Sequence, residues 1–265
     1  MHIVPQSVPV AFFPLGLDGG DPCDRAQFEL AYQPVMCAAD PNGRPAFHEA
    51  LLRQVLPDGR ILTPPQFCPD LAQSGIGPDL DRRALTLGLR EMIAEPGLRL
   101  SINVDPRTLE DAAWHATLEK ALVADATLGE RLILEITERA PLPEGCAAGL
   151  MRAKWRKAGI SLALDDFGAG QTAVRHLPIW RFDIVKIDGG FTRDVHRNPD
   201  NQAMMGALMD LAHHFEAMTV AEHVENAADA AWLTARGAGG LQGHLFANAS
   251  LHKPWRAATA RRHIA

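Results

Sequence analysis

Short apolar runs alternate along this chain with longer stretches whose apolar residues recur at helical spacing. The runs are Phe28–Met36, Leu98–Val104, Arg131–Thr137, Ser161–Leu164, Phe182–Ile187 and Met218–Ala221. Their length and their content of Ile, Leu and Val predict strands buried on both faces. Between them, Asp79–Ala94 places Leu80, Ala84, Leu87, Leu89 and Met92 on one helical face, and Pro96-Gly97 stops it. Asp200–Phe215 does the same with Met204, Met205, Leu208, Met209 and Leu211; these methionines read as core or as a subunit contact. Thr63-Pro64-Pro65-Gln66 reads as a helix start, with an N-cap, proline in the first turn and a capping-box glutamine. Strand–helix alternation with right-handed crossovers predicts a parallel sheet, and at 265 residues the leading form is an α/β architecture closed as a (β/α)8 barrel. Asp40-Pro41-Asn42-Gly43 separates Phe28–Met36 from a second strand, Ala46–Leu51. That spacing predicts a hairpin, hence at least one antiparallel strand. Residues 1–26, rich in Pro, Gly and Asp, predict an irregular N-terminal arm ahead of a barrel domain over 27–265.

Composition narrows the function. The chain is 47% hydrophobic and 22% charged, enough for one large core. A net charge of -6 provides no basic footprint, so a DNA or RNA polymer is not an expected partner. A small charged nucleotide is compatible, because a metal site reverses the local field. Cys23, Cys37, Cys68 and Cys146 form no C-x-x-C pair and read as reduced thiols. The apolar run Val8–Leu17 is broken by Pro9 and Pro14 and lacks a cationic flank, so neither a signal peptide nor a membrane span is predicted. The expectation is a cytoplasmic chain with no membrane partner.

Polar residues interrupt the apolar runs at matching places. Glu49 lies in the second strand, Asn103 late in LRLSINV, Glu135 and Glu138 late in RLILEITE, and Asp165-Asp166 directly after SLAL. Lys186 comes late in FDIVKID, Glu222 directly after MTVA, and Gln242 ends the run from Gly240. Singly, each has an ordinary reading: an aspartate after a strand caps the next helix, a lysine snorkels, an asparagine turns the chain. In a barrel, however, the carboxyl ends of parallel strands converge on one mouth. Carboxylates gathered there repel unless a cation neutralises them. A ligand set of oxygens without Cys or His selects Mg²⁺ or Mn²⁺ over zinc. Asp165-Asp166 can serve two ions, the usual device for in-line attack on a phosphodiester.

Glu49–Arg53 reads EALLR. With it, in order along the chain, come YQPV (Tyr32–Val35), INV (Ile102–Val104), LEITE (Leu134–Glu138), LDDFGAG (Leu164–Gly170), VKID (Val185–Asp188), AEHVE (Ala221–Glu225) and LQGHLF (Leu241–Phe246). Together these blocks resemble the EAL family over about residues 28–250. The resemblance implies a modified TIM-like barrel with one antiparallel strand. It also implies hydrolysis of cyclic di-GMP to linear pGpG with two Mg²⁺ or Mn²⁺ ions, and a homodimer. Carried over by position, Glu49, Asn103, Glu135 and Asp165 hold one metal, while Asp165, Asp166 and Glu222 hold the second. Lys186 holds the attacking water and steadies phosphate charge, and Gln242 helps order that water. Arg53 clamps phosphate, Gln33 contacts the nucleotide, and Glu138, Asp188 and Glu225 are supporting acids.

The chain departs from the family at Gln171, Thr172, Ala173 and Val174, in the loop whose root carries Asp165 and Asp166, and a loosened loop would weaken turnover. The alternative is therefore a cyclic di-GMP receptor with little or no turnover. A lyase using a lysine base and one Mg²⁺ is disfavoured by the adjacent aspartates. His223 replaces a glycine of the family and His244 a frequent tyrosine; both read as rim or packing residues.

Overall fold

The structure is a computed structural model that describes residues 27–69, 71, 75–137, 142, 146–169 and 173–256. The proposed arm at 1–26 and Glu138 lie outside the described residues. β1 (Gln27–Cys37) turns back through Asp40–Gly43 into β2 (Pro45–Val55), as the hairpin reading predicts. β3 (Ile61–Leu62) pairs only with the tail of β2, which lengthens that strand beyond the expected Leu51. α1 (Pro64–Phe67) follows, its Thr63 N–H donating to Gln66 Oε1 at 2.8 Å, as the capping-box reading requires. After α2 (Gly77–Ala94), the chain alternates β4 (Leu100–Val104), α3 (Ala112–Ala124), β5 (Leu132–Thr137), α4 (Cys146–Lys157), β6 (Ser161–Phe167) and α5 (Ala173–Trp180). It ends with β7 (Ile184–Ile187), α6 (Gly189–Thr192), α7 (Pro199–His214), β8 (Met218–Ala221), α8 (Ala227–Arg236) and β9 (Gly240–Leu241).

The order β1-β9-β8-β7-β6-β5-β4-β2, closed by β1 against β2, makes an eight-stranded barrel. β2 and β4 to β9 run parallel, and β1 is antiparallel to both its neighbours. Successive side chains on a strand point to opposite faces, so each strand feeds two cores. Outward-facing Ile102, Leu134, Leu164, Val185 and Leu241 join the helices in the larger core, where Trp114, Trp155 and Trp180 are buried. Met205 and Met209 of α7 lie in that core as well, whereas Met204 is 47% exposed. Inward-facing Val35, Phe47, Ile133, Ala163, Ile184 and Val220 form a second apolar cluster, a plug inside the barrel.

Helix ends are fixed locally. Asn198 Oδ1 accepts from Asp200 N–H and Asn201 N–H at the start of α7, a cap worth about 1 kcal/mol. The Gly243 backbone lies so close to Val224 that a Cβ would fall 2.2 Å from the Val224 carbonyl oxygen. Only glycine lets the chain leave β9 at that point. Among the described residues, no helix is long and apolar enough to cross a membrane.

Candidate active site

Two residues beyond the apolar plug along each parallel strand, the inward position turns polar. Phe47 gives way to Glu49, Ile133 to Glu135, Ala163 to Asp165, Ile184 to Lys186 and Val220 to Glu222; Ser101 and Gly240 precede Asn103 and Gln242. On antiparallel β1 the order reverses, so Gln33 precedes Val35, and Gln33 sits opposite Glu49 in the β1–β2 register. A hydrophobic plug thus carries a polar ring at one end of the barrel.

The ring closes on Lys186. Its Nζ lies 2.9 Å from Glu135 Oε2, Asp165 Oδ1 and Glu222 Oε1, and 3.2 Å from Glu49 Oε2. Asn103 Nδ2 donates to Glu49 Oε1 at 3.0 Å, and Gln242 Nε2 donates to Glu49 Oε2 at 2.6 Å and to Gln33 Oε1 at 3.3 Å. Gln33 Nε2 donates in turn to the Ala247 carbonyl at 3.2 Å. Lys186 and Glu135 are 1% and 0% exposed, so this charge is out of water.

Four carboxylates around one ammonium leave an excess of negative charge, and the proton affinities show it. Burial pushes the Glu135 pKa well up, and Glu49 and Asp165 add to it against the pull of Lys186. Burial raises Asp165, and raises Glu222 to about 8. Burial alone would also raise Glu49, but Lys186, Gln242 and Asn103 together bring it below its ordinary value. Burial opposes the charge on Lys186, yet the surrounding carboxylates outweigh it and hold its pKa well above normal. Among the described residues, Gln242 Oε1 is buried with no hydrogen-bond donor.

The structure therefore brings together Gln33, Glu49, Asn103, Glu135, Asp165, Lys186, Glu222 and Gln242. β6 loses register with β7 between Leu164 and Phe167, and Asp166 adopts a left-handed φ of 57°. Such an irregularity re-aims side chains at the end of a strand. It follows the expected strand end at Leu164, and β6 resumes its pairing with β7 at Phe167 opposite Ile187. Arg53 lies four residues beyond Glu49 on the same face of β2, its Nη1 donating to the Leu52 carbonyl at 2.9 Å. Burial draws the Arg53 pKa down while Glu49 opposes the shift. Asp188 Oδ1 accepts from Gly190 N–H at 2.8 Å and starts α6, so it is engaged as a helix cap. Glu225 is exposed. His223 has φ 54° and is exposed, its ring resting on Gly189, where a Cβ would meet Nδ1 at 2.2 Å.

Sequence reasoning missed Ser101, whose buried hydroxyl lies against Glu135 and favours its ionised form. Its signal was available: it stands two residues before Asn103, on the same face of β4. The chemistry of the ring fits a divalent cation, since its donors are oxygens and its charge exceeds what one ammonium offsets. In the described structure, however, the carboxylates converge on Lys186, and no group of them stands arranged around a separate ion position.

A family model described as EAL domain matches residues 21–249. The probable cyclic di-GMP phosphodiesterase PdeN of Escherichia coli is 31% identical over 226 residues, covering 83% of this chain and 43% of that protein. The bifunctional diguanylate cyclase/cyclic di-GMP phosphodiesterase MucR of Pseudomonas aeruginosa is 29% identical over 228 residues, covering 84% of this chain and 33% of that protein. The chain thus spans less than half the length of these relatives. Among solved structures, the PaMucR phosphodiesterase in complex with c-di-GMP superposes with a TM-score of 0.74 at 28% identity, covering 84% of this chain and 92% of that one. The manganese/cy-diGMP complex of Klebsiella pneumoniae BlrP1 gives 0.72 at 25% identity, covering 86% and 57%.

Proposed function

This chain belongs to the EAL domain family, and from that premise we propose that it hydrolyses cyclic di-GMP to linear pGpG with Mg²⁺ or Mn²⁺. The observation that carries the reading is the buried ring itself: four carboxylates facing one lysine, on a rigid plug, at one end of the barrel. Glu49, Asn103, Glu135 and Asp165 are the groups that would hold one divalent ion, and Asp165, Asp166 and Glu222 those for a second. Bound there, the ions would lower the pKa of the attacking water and set positive charge against the phosphoryl oxygens.

The chain's own residues do the rest. The oxygen of water forms a bond to phosphorus as the bond from phosphorus to the 3′ oxygen breaks, and the departing oxygen takes up a proton. Lys186, held charged by its neighbours, donates hydrogen bonds to the incoming water and to phosphoryl oxygens, where negative charge grows. Gln242, fixed on Glu49, orients the water through its amide. Gln33 beside it contacts the nucleotide, and Arg53 offers a planar fork to a phosphate. The plug below excludes bulk water and raises the value of each electrostatic contact.

The test is the purified chain with cyclic di-GMP and Mn²⁺ or Mg²⁺, with products separated by chromatography. The expected product is pGpG. Losing a group that only orients a metal ligand costs 10–100-fold, so Glu49→Ala, which removes a ligand, should reduce the rate by about 100-fold or more at unchanged circular dichroism. Binding without pGpG in the parent chain would favour the receptor reading, and an unchanged rate in Glu49→Ala would overturn the assignment of the ring.

A further inference from the structure

We propose that residues 242–256 form a clasp around the β1–β2 hairpin, and that Glu91, Lys253, Trp255 and Arg256, on the outer side of the barrel wall, are positioning residues for Glu49 and Gln33. The inference rests on the reading of the polar ring as a metal and nucleotide site, and adds to it the groups that hold one wall of that site in place.

The need for a clasp follows from the topology. β1 returns directly into β2, so no helix follows β1, and α2 packs across the hairpin from further along the chain. The chain after β9 completes the cover, and it reaches both faces. Inside the mouth, Gln242 donates to Glu49 at 2.6 Å and to Gln33 at 3.3 Å. At the rim, the Ala247 carbonyl accepts from Gln33 at 3.2 Å. Along the edge of β1, Ser250 pairs with Tyr32 in both directions as an antiparallel bridge, N–H to carbonyl, at 2.8 and 3.1 Å. The Trp255 ring then meets Tyr32 edge-on, with centroids 4.7 Å apart, and His48 at 5.1 Å. Last, Lys253 Nζ donates to Glu91 Oε1 at 2.6 Å, and Arg256 Nη2 to Glu91 Oε2 at 3.1 Å. Glu91 belongs to α2, the helix that packs on β1 and β2, and it is 9% exposed.

Tyr32 and His48 each precede a ring residue by one position, so they face out where Gln33 and Glu49 face in. Gln33 and Glu49 are also direct cross-strand partners. Any tilt of the hairpin therefore moves both ring residues together. Displacements near 1 Å cost such a site about 100-fold. The ion pairs at Glu91 anchor the far end of the clasp: without Lys253 and Arg256 that carboxylate would keep its burial and lose its counter-charges.

Trp255→Ala, Trp255→Phe and the double variant Lys253→Gln/Arg256→Gln test this in the full chain. Mn²⁺ binding is followed by calorimetry, and kcat and KM are followed with cyclic di-GMP. Trp255→Ala should keep its circular dichroism, weaken Mn²⁺ binding about tenfold and lower kcat more than it changes KM, while Trp255→Phe, which retains an edge-on ring, should stay near the parent protein. The double variant, altered only at the outer latch, should shift in the same direction as Trp255→Ala and decides the matter if Trp255→Ala does not fold. Parent-like Mn²⁺ binding and kcat in the variants would overturn the clasp, as would a Trp255→Phe as damaged as Trp255→Ala. If the parent protein binds neither Mn²⁺ nor the nucleotide, it is the reading of the ring that fails; if it binds them and the variants bind equally, it is the clasp that fails.

Discussion

Lys186 and Asp81 show how much one buried charge decides. Lys186 faces four carboxylates, and in the proposed reaction its ammonium would act on charge that grows only as the phosphodiester reacts. Lys186→Met should therefore cut the single-turnover rate of pGpG formation far more than it weakens nucleotide binding by calorimetry. A collapse of affinity with an unchanged bound-state rate would make Lys186 a binding residue instead. Asp81 of α2 accepts from Asp105 N–H at 2.7 Å and from the Thr108 hydroxyl at 2.6 Å. Burial nonetheless raises its pKa from 3.8 to about 7, the two hydrogen bonds opposing the shift only in part. The folded chain then keeps a proton that the unfolded chain releases near pH 4. This group's contribution to stability is full below that pH and is lost as the pH rises through about 7. Asp81→Asn keeps both acceptor bonds through its amide oxygen and should flatten the stability profile between about pH 4 and 7 in urea titrations. A parent-like slope in that variant would refute the assignment.

At the scale of elements, the period of two along each strand separates structure from chemistry. Phe47 packs in the plug at 4% exposure and Glu49 stands two residues on, in the ring. Phe47→Ala should destabilise the chain by about 3–5 kcal/mol through the cavity it leaves. It should also reduce activity, because the plug is the floor on which the ring is built. Denaturant midpoints and pGpG rates measured together check this; a loss of stability with full activity would show that the ring keeps its geometry without that floor. The strand reading stopped β6 at Leu164 because two aspartates look like a loop. The structure carries the strand to Phe167 through a register shift, so Asp165 stands in the ring while still within the strand.

For the molecule as a whole, the net charge of -6 matters less than where the charge is placed. A buried excess of carboxylates strains the folded state until cations offset it. A divalent ion that binds only the folded chain at about 100 times its Kd should add about 2.7 kcal/mol of stability. Mn²⁺ should accordingly raise the melting temperature, EDTA should reverse the effect, and Glu135→Gln should diminish it. An unchanged melting temperature at millimolar Mn²⁺ would argue against the ring as a metal site.

Much of this protein could be read directly from its sequence. Strands and the long helices α2 and α7 were legible because burial on one or both faces imposes a period, and the hairpin because Asp40–Gly43 has the composition of a turn. The polar ring was legible because a charged residue inside an apolar run has few places to go. Its ordered motifs pointed to the family that the comparison shows. What depends on closure of the barrel was not legible. That Lys186 reaches Glu49, Glu135, Asp165 and Glu222, which lie 21 to 137 residues away along the chain, depends on strand order and stagger, which a one-dimensional pattern does not contain. Asp188 as a helix cap, the left-handed turn at Asp166 and the return of Trp255 onto Tyr32 are likewise tertiary decisions. Each is set by which backbone donors and which uncovered faces remain once the barrel has closed, and periodicity along the chain carries no record of those.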